Sequence, residues 1–455
     1  MSDSMVVNRR AFLKTSLAAT AVFAMAGRGF GAPAAPVRLG IIGTGSRGTS
    51  LLGTLLRFPE ARVQAVCDIV RERAERAAGL VRQRDGQAPD IYADTEGAWE
   101  RLVERDDLEA VIIATPPSWH ARMAVGAMRA GKYPGVEVPA AETLGECWEL
   151  VRVSERTGIP CTMLENVCYF RNVMALLRMV RENVFGEILH CEAGYQHDCR
   201  ALAFTPDGKL TWRGQRAAQT NGNPYPTHPI GPVAQWMNIN RGDRFVALSS
   251  LSTPARGLQE YAAKKFGPDH ELARRKYAQG DLNTTLLQTA HGRTVTLYHN
   301  VYSPRPYDLI LRLQGTQGIY LGSLDSICLE TAGKSADAWE PFQPYQEKYE
   351  HPVWKAMGAE ALKSGGHGGA EYPMFHDFLH AVRTRSTPPL DVYDAATWSA
   401  IMPLSCSSVA KGGKLVRFPD FTGGRWKHRG PVPVLEPGAT GPFNEQQQTR
   451  MCGRS

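Results

Sequence analysis

The sequence predicts two folded parts. The first is an N-terminal α/β domain on a doubly wound parallel sheet, and the second is an α+β domain with a large, mainly antiparallel sheet. Three observations lead there. Residues 37 to about 165 alternate strand-like and helix-like patterns, as parallel βαβ units do. A glycine-rich turn, Gly43-Thr44-Gly45-Ser46-Arg47-Gly48, closes the first apolar run, Val37 to Ile42. From Asn166 onward the pattern changes to helical stretches followed by period-two runs broken by glycines, which suits an antiparallel sheet with one face covered.

Taken in order, the chain opens on Asn8-Arg9-Arg10-Ala11-Phe12-Leu13-Lys14, running into the apolar stretch Leu17 to Gly27. Paired arginines before a weakly hydrophobic, Ala-rich segment read as a twin-arginine export leader. The stretch is about half of the roughly 20 apolar residues needed to span a bilayer. Small residues around Ala32-Pro33-Ala34 offer a cleavage site, so residues 1–34 are set apart as a signal peptide. The mature protein is expected to be exported, periplasmic or otherwise, with the twin-arginine machinery as a partner.

Residues 35–165 form the expected parallel domain. Val37 to Ile42 is its first strand, and Gly48 opens a helix through Leu56. Val63 to Cys67 is the second strand, ending at Asp68, twenty residues past Gly48. Val111 to Ala114 is a further buried strand that breaks at Thr115-Pro116-Pro117. Strand, glycine turn, helix, strand and acid at that distance form a Rossmann dinucleotide fingerprint. Gly43, Gly45 and Gly48 let the backbone approach a pyrophosphate at a helix N-terminus. Asp68 accepts from ribose hydroxyls and repels a 2′-phosphate, which selects NAD over NADP.

Residues 166–429 form the expected second domain. Val173 to Arg181 and Gly231 to Ile239 read as helices, and Thr284 to Gln288 and Thr294 to His299 as strands. His291-Gly292-Arg293 and Gln314 to Gly318 are the hairpin or bulge sites. Residues 430–455, rich in Pro, Gly and Gln, are set aside as a flexible tail. The net charge of +7 comes without a Lys/Arg block interleaved with aromatics, so nucleic acid is not an expected partner. The nine cysteines show no C-x-x-C pair or metal-type spacing, and no metal is expected. Cys67 and Cys161 sit in strand-like runs as small buried hydrophobes, whereas Cys191 and Cys199 could pair after export.

Three segments of this half concentrate polar and aromatic side chains: Gly194-Tyr195-Gln196-His197-Asp198, Asn223 to Pro229, and Ser303 to Tyr307. Prolines beside Tyr225, His228 and Tyr307 restrict the backbone and fix those rings. Imidazoles and phenols can exchange protons or orient sugar hydroxyls.

Those segments also carry a resemblance. The chain is similar to the glucose–fructose oxidoreductase and inositol dehydrogenase superfamily, and within it closely resembles glycoside hydrolase family 109, whose known members include α-N-acetylgalactosaminidases. The likeness rests on Gly45-Ser46-Arg47-Gly48, Trp119-His120, Glu137-Val138, Glu146-Cys147-Trp148, Leu164 to Tyr169, Gly194 to Asp198, Tyr225 to His228, Arg305-Pro306-Tyr307, Gly366-His367-Gly368-Gly369 and Leu390 to Asp394. Sugar dehydrogenases of the superfamily usually carry Glu-Lys-Pro where this chain has Glu137-Val138-Pro139. They also commonly place an Asp four residues before the catalytic histidine, where Pro224 stands here. The resemblance implies that Ser46, Arg47, Asp68, Pro117, Ser118, Trp119, His120, Glu137, Val138 and Asn166 line NAD. It implies that Tyr195, Arg213, Tyr225, Pro226, Thr227, His228 and Tyr307 line the sugar.

An exported protein has no soluble nicotinamide pool, so its NAD must be held and returned to its starting state in each turnover. The family chemistry has that property, and NAD-dependent glycosidases are exceptions to the two-carboxylate rule. C3 of the sugar is oxidised, the aglycone leaves by C1–C2 elimination, water adds, and C3 is reduced. His228 with Tyr225 is expected at the C3 hydroxyl and Tyr307 at the C2 proton, with Tyr169 and Tyr195 in support. The expected substrate is an N-acetylgalactosamine-containing glycoside, α-linked. The rival readings are an exported NAD(P)-dependent sugar oxidoreductase with bound cofactor and a sugar-binding protein with an inert nucleotide fold. A homo-oligomer is a further expectation.

Overall fold

The first apolar run forms β1 (Val37–Ile42), with every residue but Arg38 buried, as a strand covered on both faces requires. The computed structural model describes residues 35–330, 337–432 and 434; the leader expected over residues 1–34 and the tail beyond residue 434 lie outside them. β1 joins β2 (Ala61–Asp68), β3 (Asp90–Ala93), β4 (Ala110–Ile113), β5 (Tyr133–Val136) and β6 (Thr162–Met163). The six strands are all parallel in the order β3-β2-β1-β4-β5-β6. This is the doubly wound nucleotide-binding order, with its crevice at the carboxyl ends where the winding reverses beside β1. The intervening helices are α1 (Ser46–Leu55), α2 (Arg71–Asp85), α3 (Ala98–Val103), α4 (His120–Arg129) and α5 (Leu144–Thr157). α1 begins at Ser46, not at Gly48, because Gly45 is the residue that turns the chain into the helix. α5 begins in a capping box, Thr143 and Glu146 each satisfying the other's backbone N–H.

A second sheet of nine strands follows. Its members are β7 (Ile188–Gln196), β8 (Phe245–Ser252), β9 (Leu282–Thr289), β10 (Thr294–Asn300), β11 (Arg312–Gly315), β12 (Gly318–Leu321), β13 (Ser326–Leu329), β14 (Glu340–Pro341) and β15 (Val416–Arg417). The order is β14-β13-β12-β11-β7-β10-β9-β8-β15. All pairs are antiparallel except β7 with β10. The turns fall where the glycines stand: Gly292, with φ +81°, joins β9 to β10, and β11 turns into β12 between Gly315 and Gly318. In the parallel pair Tyr195 lies beside His299 and Gln196 beside Asn300, so the two strands deliver their last side chains to one place.

Around β7 the chain adds α6 (Arg171–Arg181), α7 (Trp212–Gln219) and α8 (Thr227–Trp236). α8 starts four residues earlier than the Gly231–Ile239 helix expected from the sequence. Pro226 caps it and Pro229 lies in its first turn, where a missing N–H costs no helical bond. His228 therefore belongs to a helix start, not to a loop. The helix Val392–Ala410 packs on both α5 and β8, and a single apolar core runs from Ile41 of β1 through Trp398 to Leu297 of β10. That shared core holds the end of the second sheet against the crevice of the first. Cys191 and Cys199 are both buried free thiols, so the bridge that spacing allowed is not formed. Among the described residues no helix is long and apolar enough to cross a membrane.

Candidate active site

The carboxyl ends of the parallel strands supply one wall. Gly43 follows β1 at φ +86°, and a Cβ there would stand 2.7 Å from the Ala114 carbonyl. At Gly48 a Cβ would stand 1.8 Å from the Gly43 oxygen, so both glycines are required by packing. Gly45 differs: a Cβ on it would meet nothing within 4 Å. Its bare backbone faces open space at the start of α1, where a pyrophosphate approaches. Asp68 ends β2, and its Oδ2 accepts from the Thr44 N–H at 2.8 Å while Oδ1 accepts from Val70 N–H at 2.9 Å. The same carboxylate thus fixes the glycine loop and keeps lone pairs for ribose hydroxyls.

β4 runs into the short turn Pro117–Trp119, where Pro117 is buried and Ser118 exposed. His120 is buried behind it, its two ring nitrogens each 2.8 Å from a carbonyl oxygen, of Pro139 and of Thr115. It ties the turn to the segment after β5, so any cofactor contact at His120 is made by backbone. Val138 is buried beside Glu137. Asn166, just past β6, is wholly buried with both side-chain amide atoms unpartnered among the described residues. An open glycine backbone, a ribose-type carboxylate and an unpaired buried amide together fit a dinucleotide.

Arg47 links this wall to the second part of the chain. Its Nε donates to Glu137 Oε1 at 2.6 Å and its Nη1 to Glu371 Oε1 at 2.7 Å. Glu371 also receives His367 Nδ1 at 2.6 Å. Burial alone would raise the Glu371 carboxyl, but the bonds from His367 and Arg47 outweigh it and hold it below its ordinary range. His367 stands in Gly366-His367-Gly368-Gly369, where all four residues have positive φ. His367, Phe170, Asn172 and Tyr307 line one cleft. His367 received no role from the sequence, although a histidine between glycine pairs with a glutamate four residues on was a legible signal.

The opposite wall comes from the ends of β7 and β10 and the starts of α7 and α8. Tyr195 is the hub: its ring centroid lies 4.9 Å from Tyr225, 5.4 Å from His228 and 5.0 Å from His197. Its hydroxyl is 2.9 Å from His197 Nε2. Tyr225 and His228 meet edge to face at 5.1 Å, and His197 and Tyr307 at 5.4 Å. Arg213 lies over Trp212 at 4.3 Å and over Tyr225 at 5.5 Å, which makes it part of the ring cluster and not a loose surface charge. Thr227 is wholly buried with a hydroxyl unpartnered among the described residues, and Pro226 caps α8. Tyr169 is the outlier. Its hydroxyl donates to Asp377 at 3.0 Å and its carbonyl accepts from Trp354 at 2.9 Å; among the described residues no ring contact joins it to Tyr195, Tyr225 or His228.

His228 Nδ1 lies 2.6 Å from Oε1 of Glu165, a fully buried carboxylate at the end of β6. In the sequence Glu165 is one residue within the motif Leu164 to Tyr169. It reaches His228 from just past β6, whereas position 224, four residues before His228, holds Pro224. Burial pushes the Tyr225 phenol up to about 12 against the pull of Arg213, and Glu137 and Glu165 add to the rise. Tyr195 is pushed up too, chiefly by burial, and Tyr307, although half exposed, is raised by partial burial with Glu165 and Asp308 adding. The three phenols thus stay protonated and can act as donors.

Known families match both parts of the chain. Residues 37–164 match the NAD-binding Rossmann fold of an oxidoreductase family, and residues 169–428 match the C-terminal domain of glycosyl hydrolase 109. A glycosyl hydrolase family 109 protein of Solibacter usitatus is 43% identical over 410 residues, covering 90% of this chain and 93% of its own. An alpha-N-acetylgalactosaminidase of Tannerella forsythia is 42% identical over 418 residues, covering 88% and 89%. Among solved structures, levoglucosan dehydrogenase in complex with NADH superposes with a TM-score of 0.63 at 21% identity, over 85% of this chain and all (100%) of its own. That last likeness speaks for the fold alone. Residues 37–164 are accordingly an NAD-binding Rossmann domain.

Proposed function

Because the chain belongs to glycosyl hydrolase family 109, we propose that it is an exported glycosidase that hydrolyses N-acetylgalactosaminides, α-linked, with a retained and recycled NAD. The observation that carries this reading is the buried Glu165–His228 pair at 2.6 Å. It joins the nucleotide sheet, one residue from Asn166, to the ring cluster that would hold a sugar. When bound, NAD supplies a hydride acceptor for C3 of the sugar and gives the hydride back at the end of turnover.

The carboxylate of Glu165 accepts from Nδ1–H of His228, which leaves Nε2 free to take the proton of the C3 hydroxyl. Tyr225, protonated and edge-on to His228, donates to the C3 oxygen as charge develops there. Once C3 is a ketone, the C2 proton is acidified by delocalisation into an enolate. The sequence offered Tyr307 as the base for it, but a phenol pushed up by burial and beside acids is a poor acceptor. His367 lines the same cleft as Tyr307 and is oriented through Nδ1 by Glu371, so it takes the C2 proton and serves the leaving oxygen. Tyr307 then donates to the sugar or its aglycone. Water adds to the double bond at C1 and C2 regains a proton, restoring the ring carbons.

In support, the Tannerella forsythia relative bears the name alpha-N-acetylgalactosaminidase. The direct test is purified mature protein with nitrophenyl α-N-acetylgalactosaminide and no added NAD. Sustained aglycone release over many turnovers is expected; an absolute need for an external acceptor would favour the sugar oxidoreductase. For export, replacing Arg9 and Arg10 by lysine should leave the protein in the cytoplasm, and unaltered export would remove the twin-arginine assignment.

A further inference from the structure

Behind Tyr195 and Tyr225 lies a pocket that the steps above leave unused. Cys199, Pro224, Val301 and Tyr302 wall it, and Arg213 and His299 supply its charge and its polar ring. His299 is only 2% exposed, and its Nδ1 is buried without a hydrogen-bond partner among the described residues. A buried polar nitrogen costs free energy unless something bonds to it.

We propose that this pocket receives the acetamido group at C2 of the sugar, with His299 and Arg213 recognising its amide; the assignment rests on the N-acetylgalactosaminidase reading above. The groups match in kind. A neutral imidazole keeps a lone pair on one ring nitrogen, and on His299 that lone pair can accept from the amide N–H. Burial first, then Arg213, His197 and Arg216, hold the His299 imidazole down to about 3, so it stays neutral at any working pH. Arg213 can donate to the amide oxygen but has no acceptor to offer. Val301, Cys199 and Pro224 suit a methyl group. An unacetylated amine would enter as an ammonium facing Arg213 and Arg216, and would be repelled. The position fits as well. Tyr195 and Tyr225 line the pocket and also lie 5.4 Å and 5.1 Å from His228, ring to ring. The pocket is thus one ring away from the base assigned to C3, the carbon next to C2.

The experiment compares kcat/KM for nitrophenyl α-N-acetylgalactosaminide and nitrophenyl α-galactoside. In His299→Leu the ratio of the two should fall about tenfold or more relative to wild type, mainly through KM for the acetamido substrate. His299→Gln, which restores a donor and an acceptor, should recover part of it. Equal losses on both substrates would overturn the assignment. A second measurement uses the wild-type protein alone, so it survives misfolding of the variants. Across N-formyl, N-acetyl, N-propionyl and N-butyryl glycosides, kcat/KM should peak at acetyl and fall steeply for the longer chains. A flat series would overturn the pocket while leaving the glycosidase reading intact. No release from either glycoside by the wild type would overturn both.

Discussion

At His228 the chemistry depends on which ring nitrogen carries the proton. A carboxylate 2.6 Å from Nδ1 can only accept, so Nδ1 is the N–H and Nε2 the base. Two residue-scale predictions follow from that tautomer. His228→Ala should abolish turnover with the fold and bound NAD intact, and normal activity would remove His228 from the scheme. Glu165→Gln keeps a bond to Nδ1 but loses the charge that balances a protonated ring. It should lower kcat by about tenfold to a hundredfold with KM nearly unchanged, whereas a merely structural glutamate would move melting temperature and NAD content instead. Neither partner of this pair announced the other in the sequence, being 63 residues apart. His299 was hidden differently: in a period-two strand it reads as one more inward residue, and only its missing partner sets it apart.

Among the elements, the turn from β1 into α1 was the most legible, because its requirements are local. Gly43 and Gly48 answer to backbone contacts and Asp68 to a fixed distance along βαβ, and each stands where the spacing put it. The glycines divide the work, which gives a paired prediction. Gly48→Ala collides with the Gly43 oxygen and should yield little folded protein. Gly45→Ala meets nothing within 4 Å. It should fold and melt where NAD-free wild type melts yet lose bound NAD, read as cofactor content of the purified protein. Retention of NAD by Gly45→Ala would contradict the cofactor placement. The start of α8 was less legible, because three prolines between Pro224 and Pro229 suggest a loop when they in fact cap and open a helix. The parallel pairing of β7 with β10 left no local mark at all, since register between distant strands is fixed by tertiary packing.

For the molecule as a whole, the buried histidines set a pH limit. His299 and His351 are held low, chiefly by burial, to about 3 and about 4 respectively. Unfolded, each takes up a proton below about pH 6.5; folded, each resists until far lower. The unfolded chain therefore binds more protons as pH falls, and stability drops with it. The melting temperature should be level above about pH 7 and decline steadily from about pH 6.5 towards pH 4, and His299→Gln should flatten that decline. A melting temperature that rises on acidification would show these rings to be charged in the fold.

The central claim is that hydrolysis passes through a C3 ketone and loss of the C2 proton, with NAD never leaving the protein. It is tested most directly by incubating wild-type mature protein, without added NAD, with nitrophenyl α-N-acetylgalactosaminide in deuterated water, and examining C2 of the released sugar by NMR. Aglycone release with deuterium at C2 is the expected result. Release with the original hydrogen retained at C2 would contradict the account and point to direct displacement at C1.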